Sequence, residues 1–448
     1  MHIIIIGNGI AGTNAARFIR KYSNYEITMI SGESDYPFSR TALMYLYMGH
    51  MRFDHIKLYE DEFWIKNRIN RVKAWVTAIH TRAHTIQLDN GITLHYDKLI
   101  IASGSKSNTF NLAGRHLQGV QGLYSIQDLE LMEQRSSAVK RAVIVGGGLI
   151  GIEMAEMFYS RGIPVTFLVR ESNFWNHVLP LQESLMINQE ILDHGIDLKL
   201  ETELAEVLDD GNGHVSAVLT TTGEKINTQF VGITIGVSPN IGFLEKSVIE
   251  TNRGVLVDEY LQASVPDVYA IGDCVELRSP RRGRGAIEPV WYAGRMMGQT
   301  VAHTICKSPV KYDPGIWFNS AKFFNIEYQV YGNIRPRISN EFNSLFWQHG
   351  SMNKSIRINY RESNLAVTGF NLMGIRYRQE VCEKWIRAGT SIEKVLQDLS
   401  LANFDPEFFE QYEHHLLEQY RHYSGTELKL KSKRKLDLVN RFLQRVPV

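Results

Sequence analysis

Most of the chain's apolar residues come in short blocks, and two of those blocks are apolar at every position. Residues 3–6 (IIII) and 142–145 (AVIV) are too short for helices. They predict strands covered on both faces, as in a parallel sheet. Each runs into a glycine cluster, GNGIAG or GGGLIG, and then into a stretch of helical character, at 13–21 and from about 149. Further strands are expected at 26–30 and 165–169, so strand, glycine turn, helix and strand occur twice in that order. The segments DKLIIASG (97–104) and VYAIGD (268–273) add a strand each, both ending in a turn of small residues. Residues 204–208 and 215–219 flank DDGNGH and predict a hairpin. Short strands are expected at 326–331, 355–359 and 365–372. Helices follow at 380–387, 392–399 and 407–420, the last opened by the turn at 403–406. Beyond a basic run (Lys429, Lys431, Lys433, Arg434, Lys435), Leu436, Val439, Leu443 and Val446 recur at helical spacing.

Composition narrows this only a little. The 448 residues allow two or three domains, and the net charge of +1 commits the chain to neither nucleic acid nor membrane. Cys274, Cys306 and Cys382 lie far apart, without CxxC or Cys/His spacing, which suits a reducing cytoplasm. The N-terminal apolar run is too short for a signal sequence, and no run approaches a membrane span. DDGNGH lacks the ligand spacing of a calcium loop, and the His414-His415 pair has no third ligand, so no metal is expected. The short run RRGRG (281–285) reads as a solvated loop, as a docking spot for an acidic carrier, or as a nucleic-acid contact.

The glycine clusters carry the chemistry. Gly7, Gly9 and Gly12 have G-x-G-x-x-G spacing, with Ala11 in the same turn; Gly146, Gly148 and Gly151 repeat it around Ile150. Such spacing permits a tight turn, close approach of a pyrophosphate to the backbone, and close helix–strand packing. The helix N-terminus then supplies free N–H groups and a positive dipole end. Glu33, about 20 residues past the first turn, is placed to accept from an adenosine ribose. Past the second turn the strand ends at Val169, followed by Arg170, suited to a 2′-phosphate, and Glu171, suited to a plain ribose. Two seats suggest that electrons pass between two dinucleotides; glycine turns without a ligand are the plain alternative.

Over roughly residues 1–335 these motifs, with Ala102-Ser103-Gly104 and Gly272-Asp273 in order, resemble the pyridine nucleotide–disulfide oxidoreductase superfamily. The resemblance implies an α/β fold with two Rossmann-like domains, one for FAD (1–115 and 236–313) and one for NAD(P) (116–235). An α+β interface domain (314–385) and a helical extension (386–448) follow. It also implies that Asp273 meets the ribityl chain of FAD and that Glu153 lies beside the nicotinamide of NADH or NADPH. The rival reading of Glu153 is an acid favoured by its helix dipole. Disulfide-reducing members carry cysteine within the stretch matching YPFSRTALMYLYMGH (36–50), where this chain has none and Thr41 stands in its place. Threonine forms neither thiolate nor disulfide, so thiol chemistry is excluded there.

That stretch instead resembles the flavin modules of ferredoxin, rubredoxin and nitrite reductases, in which the arginine, here Arg40, helps hold FAD. A surface arginine is the alternative. Trp291, in EPVWYAGRMMG, and Trp317 fall where such relatives carry tryptophans by the flavin; core packing would also explain each. The implied activity is hydride transfer from NAD(P)H to FAD, then electron transfer to a small electron-carrier protein. Alternatives are a quinone or other small-molecule acceptor, with weak membrane contact through the C-terminal tail, or an apoptosis-inducing-factor-like binding role. A homodimer is expected from the interface domain.

Overall fold

The computed structural model describes residues 1–109, 111–404, 408 and 410–431. The chain forms two compact units, Met1–Leu168 with Thr202–Pro314, and Val169–Glu201 with Gly315–Val448.

The first unit contains the repeat. One sheet aligns Val268–Ala270, Lys98–Ile101, His2–Ile6, Glu26–Ile30 and Ile69–Val72 in that spatial order, all parallel. Ile3, Ile4 and Ile5 are fully buried, as a strand covered on both faces requires. The second set of parallel strands places Val165–Leu168 beside Ala142–Val145, then Phe230–Ile233 and Val120–Gln121. In both halves a three-stranded antiparallel sheet precedes the returning central strand: Val76–His80, Thr85–Leu88 and Thr93–His95 in one, Leu204–Asp209, Val215–Thr220 and Lys225–Asn227 in the other. The expected hairpin at DDGNGH is the turn between the first two strands of the latter. Where the chain passes between the halves, Ser105–Ser107 pairs antiparallel with Val237–Pro239.

The second unit is built on an antiparallel sheet ordered Phe318–Phe323, Ile326–Gly332, Val367–Met373, Ser355–Arg361 and Phe342–Gln348. Ile356, Ile358, Phe370 and Leu372 form one apolar cluster with side chains of the helices Gln379–Arg387, Ile392–Gln397 and Glu413–Ser424. Arg357, which alternates with Ile356 and Ile358 along its strand, meets Glu183 of the helix Leu181–Asp193 in a buried two-point pair of 2.6 and 2.8 Å. Asn371 donates to the same carboxylate at 3.0 Å, and Gln182 and Ser344 accept from the guanidinium.

The last helix lies later than expected at 407–420, because Gly425, left-handed at φ +71°, sets its C-terminus. Leu428 and Leu430 pack on the helical cluster, and Lys431 pairs with Asp398 at 2.7 Å. The start of the basic run therefore lies on the protein itself. The amphipathic tail of Leu436, Val439, Leu443 and Val446 falls outside the described residues. Among the described residues no helix is long and apolar enough to cross a membrane, and no group of three His, Cys, Asp or Glu side chains forms a metal site.

Candidate functional site

The two glycine turns are built alike. Gly7 has φ +109°, and a Cβ there would stand 2.1 Å from the Ala102 carbonyl oxygen; a Cβ on Gly12 would stand 2.1 Å from that of Gly7. In the second turn Gly146 has φ +115° with Thr234 O 2.7 Å from its would-be Cβ, and a Cβ on Gly151 would lie 2.6 Å from Gly146 O. Strand, turn and helix thus touch backbone to backbone in both, which only glycine permits. Thr234, after the returning strand of the second half, stands where Ala102 stands in the first; its hydroxyl donates to Val145 O at 2.9 Å. Sequence reasoning missed Thr234, although TIG (234–236) echoes ASG (102–104).

Beyond each turn a helix begins without a cap: Ile10–Tyr22 after Gly9, and Leu149–Ser160 after Gly148. Neither N-cap makes a side-chain hydrogen bond, and neither first turn carries an acid. Beside Gly9 and Gly148 there is open space. Two uncapped helix starts, each facing space, suit the anionic pyrophosphate of a dinucleotide.

Around the first turn the structure gathers residues that are far apart in sequence. Arg40 donates to both oxygens of Glu33, at 2.8 and 2.6 Å, and its guanidinium lies over the Tyr124 ring at 4.4 Å. Glu33 also accepts from the Ile126 N–H at 3.0 Å. Burial lowers the affinity of the Arg40 guanidinium for its proton, but the bonds and charge of Glu33 outweigh it and the pKa rises. Arg40 is therefore no free surface arginine; it fixes the acid that the sequence places toward the ribose. Asp273 accepts from Ser105 and from the Tyr124 hydroxyl, both at 3.3 Å, and burial raises its pKa against the opposing effect of these donors and Arg40. The Tyr124 hydroxyl in turn accepts from the Ser105 N–H at 2.9 Å. Tyr124 and Ser105 had no local signal, since neither belongs to a motif and only the fold brings them to Asp273.

Trp291 opens the helix Trp291–Cys306, which has no side-chain cap and no acid in its first turn. This helix lies against Ile10–Tyr22 so closely that a Cβ on Gly298 would be 2.5 Å from Ala11 O. Met297 accepts from the Gly272 N–H through its sulfur at 3.2 Å. The Gly-Asp turn and the start of this helix are thereby held on the first seat. Just upstream, Arg284 makes a buried two-point pair with Glu288, the second bond 2.7 Å long. Arg281 pairs with Asp313 at 2.8 Å on the surface. The solvated-loop reading of RRGRG thus fails for Arg284, because the carboxylate of Glu288 needs a buried partner.

On the second seat Glu153 lies one turn past the uncapped helix start and is partly buried. Its carboxyl is pushed up to about 7, by burial first and by the charge of Glu156 second. Arg170, Glu171 and Trp317 belong to the second unit. Arg170, largely exposed, donates from Nε to Glu171 at 2.9 Å. The Trp317 carbonyl accepts from the Gly332 N–H at 2.7 Å, just before the strand Phe318–Phe323.

Comparison with known proteins agrees with this geometry. A family model described as pyridine nucleotide-disulphide oxidoreductase matches residues 1–302. Rubredoxin-NAD(+) reductase of Pseudomonas putida is 28% identical over 323 residues, 71% of this chain and 83% of that protein. The 5,5'-dehydrodivanillate O-demethylase ferredoxin reductase subunit of Sphingobium sp. (strain NBRC 103272 / SYK-6) is 31% identical over 325 residues, 71% of this chain and 79% of that one. A solved NAD-dependent persulfide reductase from A. fulgidus shares the fold with a TM-score of 0.82 at 20% identity, covering 95% of this chain and 84% of its own. Two glycine seats in one α/β unit, with the family match across both, identify the chain as a member of the pyridine nucleotide-disulphide oxidoreductase family and an FAD-dependent NAD(P)H oxidoreductase.

Proposed function

We propose that the protein takes hydride from NAD(P)H onto FAD at the first seat and passes the electrons to a separate small electron-carrier protein. The observation that carries this is the absence of a usable thiol. Thr41 holds the position of the redox cysteine, its hydroxyl 3.2 Å from that of Ser39. Cys274 and Cys382 are fully buried and Cys306 is half-buried, and burial pushes all three thiols up, away from the reactive thiolate. No cysteine relay lies in the stretch, so the acceptor meets the flavin directly. The relatives named above for rubredoxin and ferredoxin reduction support a carrier protein as that acceptor.

Bound at the first seat, FAD would supply the redox chemistry, uptake of a hydride and release of electrons one or two at a time. The chain's residues place and bias it. The uncapped start of Ile10–Tyr22 offers N–H groups to the pyrophosphate, and Arg40 fixes Glu33 toward the adenosine ribose. Asp273, held by Ser105 and Tyr124, presents a carboxylate to the ribityl hydroxyls. The uncapped start of Trp291–Cys306 offers a positive dipole end that would favour the negative charge reduction brings to a flavin held there. Glu153 keeps its proton to near neutral pH, so its carboxyl can donate as well as accept beside the nicotinamide.

Anaerobic stopped-flow mixing with NADH or NADPH, followed at the flavin absorbance, tests the first half. Adding a small iron–sulfur carrier to the reduced protein tests the second. Fast bleaching followed by fast carrier reduction is expected. Bleaching with reoxidation by a quinone alone would replace the carrier with a small-molecule acceptor.

A further inference from the structure

In RGAIEPVW (284–291) an arginine and a glutamate stand four residues apart, just ahead of the helix Trp291–Cys306. An acid so close to a helix start ordinarily serves as a cap, accepting from the free N–H groups of the first turn. Glu288 does not. The helix has no side-chain cap, and Arg284 takes both carboxylate oxygens, one from Nε and the other from a terminal nitrogen at 2.7 Å. The two side chains are only 10% and 5% exposed, and Arg284 also donates to the Pro314 carbonyl at 3.4 Å.

The start of this helix lies on the first seat. A Cβ on Gly294, in its first turn, would be 3.5 Å from the side chains of both Ile10 and Ala11, which begin the helix Ile10–Tyr22. Two uncapped helix starts therefore lie side by side, each with free N–H groups and a positive dipole end. A charge placed here is felt by its surroundings. The Tyr312 hydroxyl is buried without a hydrogen-bond partner among the described residues, and its pKa is raised by burial first and by the charge of Glu288 second.

We propose that Arg284 is a positioning residue for electron uptake: by holding Glu288 off the helix start and cancelling its charge, it raises the reduction potential of a flavin seated there. A hydride brings two electrons and one proton, and so adds one negative charge to a flavin. An unpaired Glu288 carboxylate would oppose that charge and, as a cap, would occupy the donors that stabilise it. The pair as built is neutral and leaves the helix start positive. One uncompensated unit charge, acting over about 10 Å at an effective dielectric of about 20, changes the equilibrium roughly tenfold. The proposal rests on the reading of the chain as an NAD(P)H oxidoreductase with FAD on the first seat.

The test is an anaerobic redox titration of the flavin-loaded protein against a reference dye. It compares the natural chain with Glu288→Gln, with Arg284→Gln and with the double variant. Glu288→Gln leaves a guanidinium that cannot shed its charge, and should favour the reduced flavin by roughly tenfold, about +30 mV for a two-electron couple. Arg284→Gln, compared with the natural chain at about pH 9 so that the stranded carboxylate is ionised, should shift the potential the opposite way. The double variant is neutral, like the natural pair, and should return close to the natural value. Equal potentials in the natural chain and Glu288→Gln, or shifts of the same sign in both single variants, would overturn the proposal and leave the pair a structural tie. Loss of flavin from both single variants would overturn it too, since the pair would then serve folding alone. Bleaching by NADH or NADPH in the double variant leaves the oxidoreductase reading standing even if the potentials do not move.

Discussion

Replacing Glu153 with glutamine probes the second seat through its proton. The carboxyl titrates near 7 in the folded chain against an ordinary value of 4.5. The folded state therefore holds this proton more tightly than the unfolded state, and ionising it opposes folding. The penalty is absent below about pH 4.5, grows as pH rises toward 7, and is constant above it. A shift of that size corresponds to about 3 kcal/mol at alkaline pH, part of which is already present at pH 5. Glutamine keeps the shape, removes the charge and relieves Glu156. Urea unfolding of the flavin-loaded protein, followed by circular dichroism at pH 5 and pH 8.5, should show Glu153→Gln gaining on the natural chain by roughly 2–3 kcal/mol between the two. A stability difference that stays constant between the two pH values would refute the argument, because it would mean that Glu153 ionises as it would in water.

Two other perturbations have outcomes that the geometry fixes. Gly12→Ala drives a methyl to 2.1 Å from Gly7 O, whereas Gly151→Ala reaches only 2.6 Å from Gly146 O. The first variant should be purified without its flavin, by absorbance; the second should stay yellow but need at least tenfold more NAD(P)H for half-bleaching, by roughly 1.4 kcal/mol of lost binding. In the second unit, Arg357→Met strands the fully buried Glu183 and should cost about 3–5 kcal/mol in chemical denaturation. Adding Glu183→Leu should restore most of that loss, since the uncompensated charge, rather than the missing bond, dominates the cost.

The repeat was legible in the sequence because its signals are local. A buried strand has to be apolar at every position, and the turn after it has to be glycine where backbone meets backbone. The strands Phe318–Phe323 and Phe342–Gln348 were not anticipated. In FNSLFWQ, aromatic and aliphatic residues fall on both alternating sets, so a period of two separates no face. The ends of the last helix were misplaced because its turn signal, Asn403–Pro406, lies well before the point where the helix starts. Glu33 and Arg40 were each named, but their pairing was not, since the six residues of loop between them conceal it. Tyr124 and Ser105 reach Asp273 only through the folded chain, at separations of 149 and 168 residues. The assignment of residues 169–201 to the second unit is equally non-local, as it follows from contacts that no motif encodes.

The two glycine turns differ most in what surrounds them. The first is walled by the Arg40–Glu33 pair, by Tyr124 and Asp273, and by a further helix pressed onto its own at Gly298. Within the same unit, the second has Thr234 and Glu153 near an otherwise open helix start. A ligand that must part many contacts before leaving has a slow dissociation rate, and dwell time follows that rate more than it follows the rate of arrival. One architectural unit, used twice, would in this way run on two clocks, a slow one for a guest on the first seat and a faster one for a guest on the second.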